Sequence, residues 1–190
     1  LARDFFGIKP VYYAEIDGHF VFASEIKSIL AFPGYERKVN QKALEQYLSF
    51  QYAPLEETFF KGIYKLMPGH MLLYKNGNYE IKTYFKTKLT PDKWNRKTNM
   101  DQLRSQLAEI LKDSVKHHML SDVEVGAFLS GGVDSGYLAS ASGADQAFTV
   151  GFDEGDRYSE VNKAAKVAEK ASLKHHVKII SKQEFWDALP

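Results

Sequence analysis

Cysteine is missing from all 190 residues, and with it go disulfides, thiolate metal sites and any cysteine nucleophile that these residues could themselves supply. An excess of one charge is missing too: 25 Lys and Arg stand against 24 Asp and Glu, a formal net charge of +1. No bulk attraction to nucleic acid or to an anionic membrane follows from such a balance, so any phosphate binding has to be local. No apolar run approaches the ~20 residues that span a bilayer, and the opening Leu1-Ala2-Arg3-Asp4 lacks the pattern of a signal peptide. The text reads as a soluble piece of a longer cytoplasmic protein. What is present is ordinary for a globular chain: 44% hydrophobic, 14% aromatic and 26% charged residues, enough to pack one domain and a fraction, or two small ones.

The first part of the chain is rich in strand and turn signals. Asp17-Gly18 stands between VYYAEI and HFVFASE, and Asn76-Gly77 between HMLLYK and YEIKTYF; each predicts an antiparallel hairpin. Ser24 is placed to cap a short helix through Leu30, ahead of Pro33-Gly34. Leu44, Tyr47, Leu48 and Gln51 fall at i, i+3, i+4 and i+7, which predicts a helix over 41–52 with one apolar face, ended by Pro54. Pro68-Gly69 suits a type II turn. Arg3-Asp4 with Gly7 and Pro10 suggests a turn between strands held by one ion pair.

Residues 86–97 are predominantly basic, contain Pro91 and show no periodicity. They read as a solvated linker rather than an RNA contact, since Trp94 alone could stack on a base. Beyond them helix and strand alternate. Asn99 and Gln102 have capping-box spacing, and Leu103, Leu107, Ile110 and Leu111 form the stripe of a helix running to about His118. Strands are expected over 123–129, 147–152 and 175–180. Helices are expected over 135–142, closed by Gly143, and along the face Val161, Ala164, Ala165 and Ala168. Such alternation predicts a parallel sheet with crossover helices. His117-His118 suit a helix C-terminus, and His175-His176, on opposite faces of a strand, do not make a zinc site.

One stretch carries specific chemistry. Ser130-Gly131-Gly132-Val133-Asp134-Ser135 lies between an expected buried strand and an expected helix. Unpaired backbone N–H groups and the positive end of the helix dipole converge at such a turn, which makes phosphate its natural guest. Gly131 and Gly132 let the backbone approach oxygen atoms without a Cβ in the way, and Ser130 and Ser135 add hydroxyls. The spacing is not that of a Walker A loop, and no Lys follows. Asp134 would repel a polyphosphate unless a cation lay between them, most naturally Mg²⁺. The plain alternative is a tight turn in which Asp134 and Ser135 merely cap the helix.

SGGVDS at 130–135 resembles the pyrophosphate loop of the ATP-pyrophosphatase superfamily. With RDFFGIKPVYY (3–13), FASEIKSIL (22–30), LMPGHMLLY (66–74), LSDVEVGAFLSGGVDS (120–135) and FTVGFDE (148–154), in that order, the whole chain resembles glutamine-dependent asparagine synthetases. The resemblance implies an α+β part over 1–85, the later portion of a glutaminase domain of Ntn-hydrolase type with antiparallel sheets. An α/β part would follow over 98–190, the opening of an ATP-pyrophosphatase domain with a parallel sheet. It implies adenylation of the aspartate β-carboxylate by ATP with release of pyrophosphate, then amidation by ammonia from glutamine. Ser130, Gly131, Gly132, Asp134 and Ser135 would hold the pyrophosphate, Asp134 would hold Mg²⁺ through the phosphate, and Leu129 and Val150 would border the nucleoside. For those two the alternative is plain strand core.

The family's glutaminase nucleophile is an N-terminal cysteine, which these residues lack, so no catalytic glutaminase residue is assigned here and the 190 residues alone are expected to be inactive. The family's later Ser-Gly-Glu-Gly-Ala-Asp-like segment is absent as well. The expected partners are aspartate, glutamine and ATP, with no nucleic acid and no membrane; a homodimer is compatible with the family. Two other functions stay open: a relative that amidates or cyclises another carboxylate, as β-lactam synthetases do, and a noncatalytic nucleotide-binding remnant.

Overall fold

A computed structural model describes residues 1–89, 99–153 and 159–189. Most of the linker expected over 86–97, and Glu154 of the FTVGFDE run, lie outside the described residues. The chain divides into two compact units, Leu1–Pro91 and Asp92–Pro190.

In the first unit, β1 (Tyr12–Ile16) and β2 (His19–Ala23) make the expected hairpin. Asp17 and Gly18 take φ of 49° and 76°, the pair of positive values that a type I′ turn needs. A strand that the sequence pattern does not announce, β3 (Ile63–Lys65), joins the other edge of β1 to give an antiparallel sheet of order β2-β1-β3. Three residues are too few to show a period.

Flanked on both edges, β1 buries both of its faces. Ala14 and Ile16 pack with Ile29 and Ile63, while Tyr13 packs with Leu66 and Leu72. Ile29 comes from α1 (Ile26–Leu30). This helix starts from Glu25 with no side-chain cap bond, so the cap expected from Ser24 is not formed. Leu72 comes from β4 (His70–Lys75), which pairs with β5 (Asn78–Thr83) across the Asn76-Gly77 turn. Gly69 has φ of 67° and the His70 N–H donates to the Met67 carbonyl at 3.2 Å, the expected type II turn. Burial pushes the Tyr13 hydroxyl well above the usual tyrosine range.

The second helix of this unit is α2 (Gln41–Phe50), capped by Asn40, whose side chain accepts from the Ala43 N–H at 3.4 Å. It ends on Gln51 in the left-handed region, before Pro54 is reached. Only Ala43 of this helix is buried, and Leu48 of the expected apolar stripe stays exposed.

Arg3 and Asp4 are structural but not an ion pair. The Arg3 guanidinium is buried and donates to the carbonyls of Lys9 (2.9 Å), Leu66 (2.7 Å) and Gly7 (2.9 Å). Asp4 instead accepts from the N–H groups of Lys9 (2.9 Å), Ile8 (3.0 Å) and Phe6 (3.1 Å), and so organises the turn around its own carboxylate. Each residue satisfies backbone groups that a turn leaves unpaired, which a mutual ion pair would not do.

The second unit opens with α3 (Met100–His118), capped by Asn99, which accepts from the Asp101 N–H at 2.9 Å. His117 and His118 close it, each within 2.8 Å of the carbonyl four residues back through Nδ1. The expected stripe is not buried: Leu107 and Ile110 are exposed, and Val115 is the buried residue of the helix.

Three parallel strands follow in the order β6-β7-β8: β6 (Ala127–Phe128), β7 (Gln146–Phe152) and β8 (Lys174–Ile180). β6 is far shorter than the strand expected over 123–129, because β7 begins only at Gln146 and offers residues before 126 nothing to pair with. The crossover helices are α4 (Val133–Ser142), closed by Gly143 at φ 67°, and α5 (Val161–Lys170). Their core with Leu129 is largely alanine: Ala139, Ala147, Ala164 and Ala168. Small side chains bring both helices close to the sheet. A last helix, α6 (Lys182–Asp187), is fixed by a full capping box between Ser181 and Glu184, whose S-x-x-E spacing is its sequence signal.

Candidate functional site

β6 delivers the chain to the loop and α4 carries it away. Leu129 follows the strand, Ser130 and Gly131 make the turn, and Gly132 is the N-cap of α4. Gly131 has φ of +75°, and a Cβ on it would lie 2.6 Å from Lys163 Cβ and 2.8 Å from the Ala164 nitrogen. The loop therefore rests directly on the first turn of α5, where only glycine fits. Gly132 serves a different need, since a Cβ there would meet nothing closer than Ser130 Oγ at 3.4 Å.

The two hydroxyls expected to face phosphate are brought together, with Ser130 Oγ and Ser135 Oγ 2.9 Å apart. Ser135 Oγ also accepts from the Ser130 N–H (3.3 Å) and donates to the Gly132 carbonyl (3.3 Å), while the Gly132 N–H donates to Ser130 Oγ at 3.4 Å. Asp134 sits exposed in the first turn of α4, and α4 has no side-chain cap bond. The capping role considered for Asp134 and Ser135 is thus not the arrangement found. The first-turn N–H groups of α4 have no side-chain cap, and the Asp134 carboxylate faces solvent. Anion and magnesium chemistry both fit this donor set.

A cavity of about 290 Å³ opens beside the loop, lined by Phe128, Leu129, Ser130, Ser135, Phe148, Thr149, Val150 and Glu160. Leu129 and Val150 thus border one cavity, although they differ: the Leu129 side chain is 2% exposed and belongs to the core, whereas Val150 is 52% exposed. Sequence reasoning missed Thr149, Glu160 and Lys163, which reach the loop from β7 and from the start of α5. Nothing local marks them, because strand register and helix packing bring them there. A larger cavity, of about 600 Å³, lies between α3, β6 and α4; it shares Phe128 and Ser135 with the first but is lined mostly by apolar side chains.

Residues 1–85 match the family model described as a glutamine amidotransferase domain, and residues 106–190 match the one described as asparagine synthase. Asparagine synthetase [glutamine-hydrolyzing] 1 of Bacillus subtilis is 37% identical over 194 residues, covering 100% of this chain and 30% of that protein. Asparagine synthetase [glutamine-hydrolyzing] 2 of the same organism is 39% identical over 79% of this chain and 22% of its own length. Amidase chyE of Penicillium rubens is 34% identical over 73% of this chain and 20% of its own length. Among solved structures, the NH3-dependent NAD synthetase from Campylobacter jejuni, in complex with the nitrate ion, shares 20% identity at a TM-score of 0.30, over 48% of this chain and 40% of that one.

An amidotransferase part followed by a synthase part is the class that these matches define. By sequence the chain is similar to the glutamine-hydrolysing asparagine synthetases in both of these parts, and it spans about 30% of the length of the Bacillus subtilis relative it matches end to end.

Proposed function

We propose that these residues form the junction of a glutamine-hydrolysing asparagine synthetase. Residues 1–85 would be the later portion of an Ntn-type glutaminase domain, 86–97 a linker and 98–190 the opening of an ATP-pyrophosphatase domain. The complete protein would adenylate the aspartate β-carboxylate with ATP, forming the acyl–phosphate bond as the bond between the α- and β-phosphates breaks and pyrophosphate leaves. Ammonia from glutamine then attacks the activated carbonyl, giving asparagine and AMP. The reading places the protein in the cytoplasm with small molecules as its partners, and it involves no nucleic acid; homodimer formation is compatible with it. Among the described residues no helix is long and apolar enough to cross a membrane.

The observation that carries the reading is the α4 N-terminus. It has no side-chain cap, is opened by Gly131-Gly132, is flanked by the Ser130 and Ser135 hydroxyls, and bears Asp134 in its first turn beside a cavity. In this reading the first-turn N–H groups and both hydroxyls hold the leaving pyrophosphate, where negative charge grows as the bond breaks. Asp134 would hold Mg²⁺, which neutralises the phosphate oxygens when bound. Leu129 and Val150 border the nucleoside. Because these residues contain no cysteine, they do not supply the thiolate of glutamine hydrolysis.

The test is pyrophosphate release by the complete protein with ATP, Mg²⁺ and aspartate. Asp134→Asn lowers the rate by about 100-fold or more, as expected for a group that stabilises transition-state charge, and leaves the fold intact. Release driven by other carboxylic acids and not by aspartate would replace the asparagine assignment by a second reading, amide formation on another carboxylate. The similarity to the Penicillium rubens amidase keeps that reading in view.

A further inference from the structure

Leu129, from which the loop departs, is held by β7 at both of its backbone groups. Its N–H donates to the Phe148 carbonyl at 2.9 Å, and its carbonyl accepts from Thr149 Oγ1 at 2.6 Å. In a parallel ladder that carbonyl would take a backbone N–H of the neighbouring strand; here a side-chain hydroxyl takes its place, and the chain turns out of the sheet. Thr149 is 5% exposed, and its oxygen also lies 2.7 Å from His175 Nε2 on β8. A threonine hydroxyl has one proton. Since that proton goes to Leu129, His175 has to donate, which fixes its Nε2–H form. Its neighbour His176 turns the other way, stacking on Phe148 with ring centroids 4.9 Å apart and meeting Gln146 Oε1 at 2.9 Å.

A line of hydrogen bonds therefore crosses the sheet, from His175 on β8 through Thr149 on β7 to the carbonyl of Leu129, which follows β6 directly before the loop. We propose that Thr149 and His175 are positioning residues for the nucleotide loop: they set the height and tilt of the Leu129 peptide, and through it where Ser130–Ser135 meets phosphate. This rests on the nucleotide reading given above. The hydroxyl also serves stability, since the Leu129 carbonyl is a backbone group that would be left unpartnered without it. Its place is what carries the positioning role: it holds the peptide from which the loop springs, and Thr149 lines the same cavity as Ser130 and Ser135.

The experiment uses the complete protein and measures ATP-dependent pyrophosphate release with aspartate as acid. Thr149→Val, which keeps the shape and removes the hydroxyl, lowers kcat/KM for ATP about tenfold, the worth of one well-placed hydrogen bond, while KM for aspartate is unchanged. Thr149→Ser restores the wild-type value. His175→Gln, whose amide can still donate, stays closer to wild type than His175→Phe. Thr149→Val with an unchanged kcat/KM for ATP, or failure of Thr149→Ser to rescue, overturns the proposal. So does an ¹⁵N spectrum showing the wild-type His175 proton on Nδ1, a readout independent of turnover. A wild-type protein that neither binds ATP nor releases pyrophosphate overturns the nucleotide reading itself and the positioning role with it; it is told apart from failure of the positioning role alone, in which wild type and Thr149→Val bind ATP equally well.

Discussion

Asp4 shows how one side chain organises the start of the first unit and how that work depends on pH. Its carboxylate accepts N–H groups from Lys9 and Ile8, and with lesser help from Phe6 it is held down to about 2 from an ordinary value of 3.8. A carboxyl whose folded value is depressed adds stability at pH values above its unfolded value. That contribution fades as pH falls from about 4 toward 2, because the unfolded chain takes up the proton first. The Asp4 carboxyl carbon followed by NMR should titrate near 2. In urea, wild type should outlast Asp4→Ala at pH 7 and lose that advantage as the pH falls from about 4 to about 2. An advantage of equal size at pH 7 and at pH 2 would contradict this account. Sequence spacing placed Arg3 and Asp4 in a turn but could not reveal their partners. An arginine beside an aspartate suggests an ion pair, whereas the unpaired carbonyls and N–H groups of the turn compete better for both.

Among the elements, the meeting of loop and helix at Gly131 is the most exacting. Placing a Cβ at φ +75°, 2.6 Å from Lys163 Cβ and 2.8 Å from the Ala164 nitrogen, requires either the loop or α5 to move. Gly131→Ala should cost about 2–3 kcal/mol, from the left-handed backbone and the backbone clash together. Gly132→Ala, at an N-cap where a Cβ would make only ordinary contacts with Ser130 and Ser135 Oγ, should cost about 1 kcal/mol or less. Urea unfolding followed by tryptophan fluorescence reads this unit through Trp186 on α6; equal midpoints for the two variants would refute the packing argument. Turn chemistry made the hairpins, the Pro68-Gly69 turn and the Gly143 stop legible, because Asp-Gly, Asn-Gly and Pro-Gly constrain the backbone locally. The Ser130–Ser135 loop was legible for the same reason. The length of β6, the pairing of β3 and the approach of Thr149, Glu160 and Lys163 to the loop were not, because each depends on what lies across the sheet. Periodicity likewise indicated that α2 and α3 are amphipathic, but not whether their apolar faces are covered.

Those uncovered faces matter for the molecule as a whole. Leu107 and Ile110 line the outside of α3, Leu120 follows that helix, and Phe128, 86% exposed, stands on β6, which pairs on one side only. Apolar surface of this extent, next to a strand edge with unsatisfied backbone groups, marks places where more polypeptide binds. The Bacillus subtilis relative matched along the whole chain is about three times as long, and the chain spans 30% of it. The 190-residue chain in isolation should therefore enhance the fluorescence of a hydrophobic dye such as ANS and should sediment as species larger than 21.6 kDa. Leu107→Lys with Ile110→Lys, on the exposed side of α3, should weaken both effects without loss of helical circular dichroism, since neither side chain is buried. A monomeric chain that leaves the dye dark would mean that these faces are settled in water and are not a binding surface.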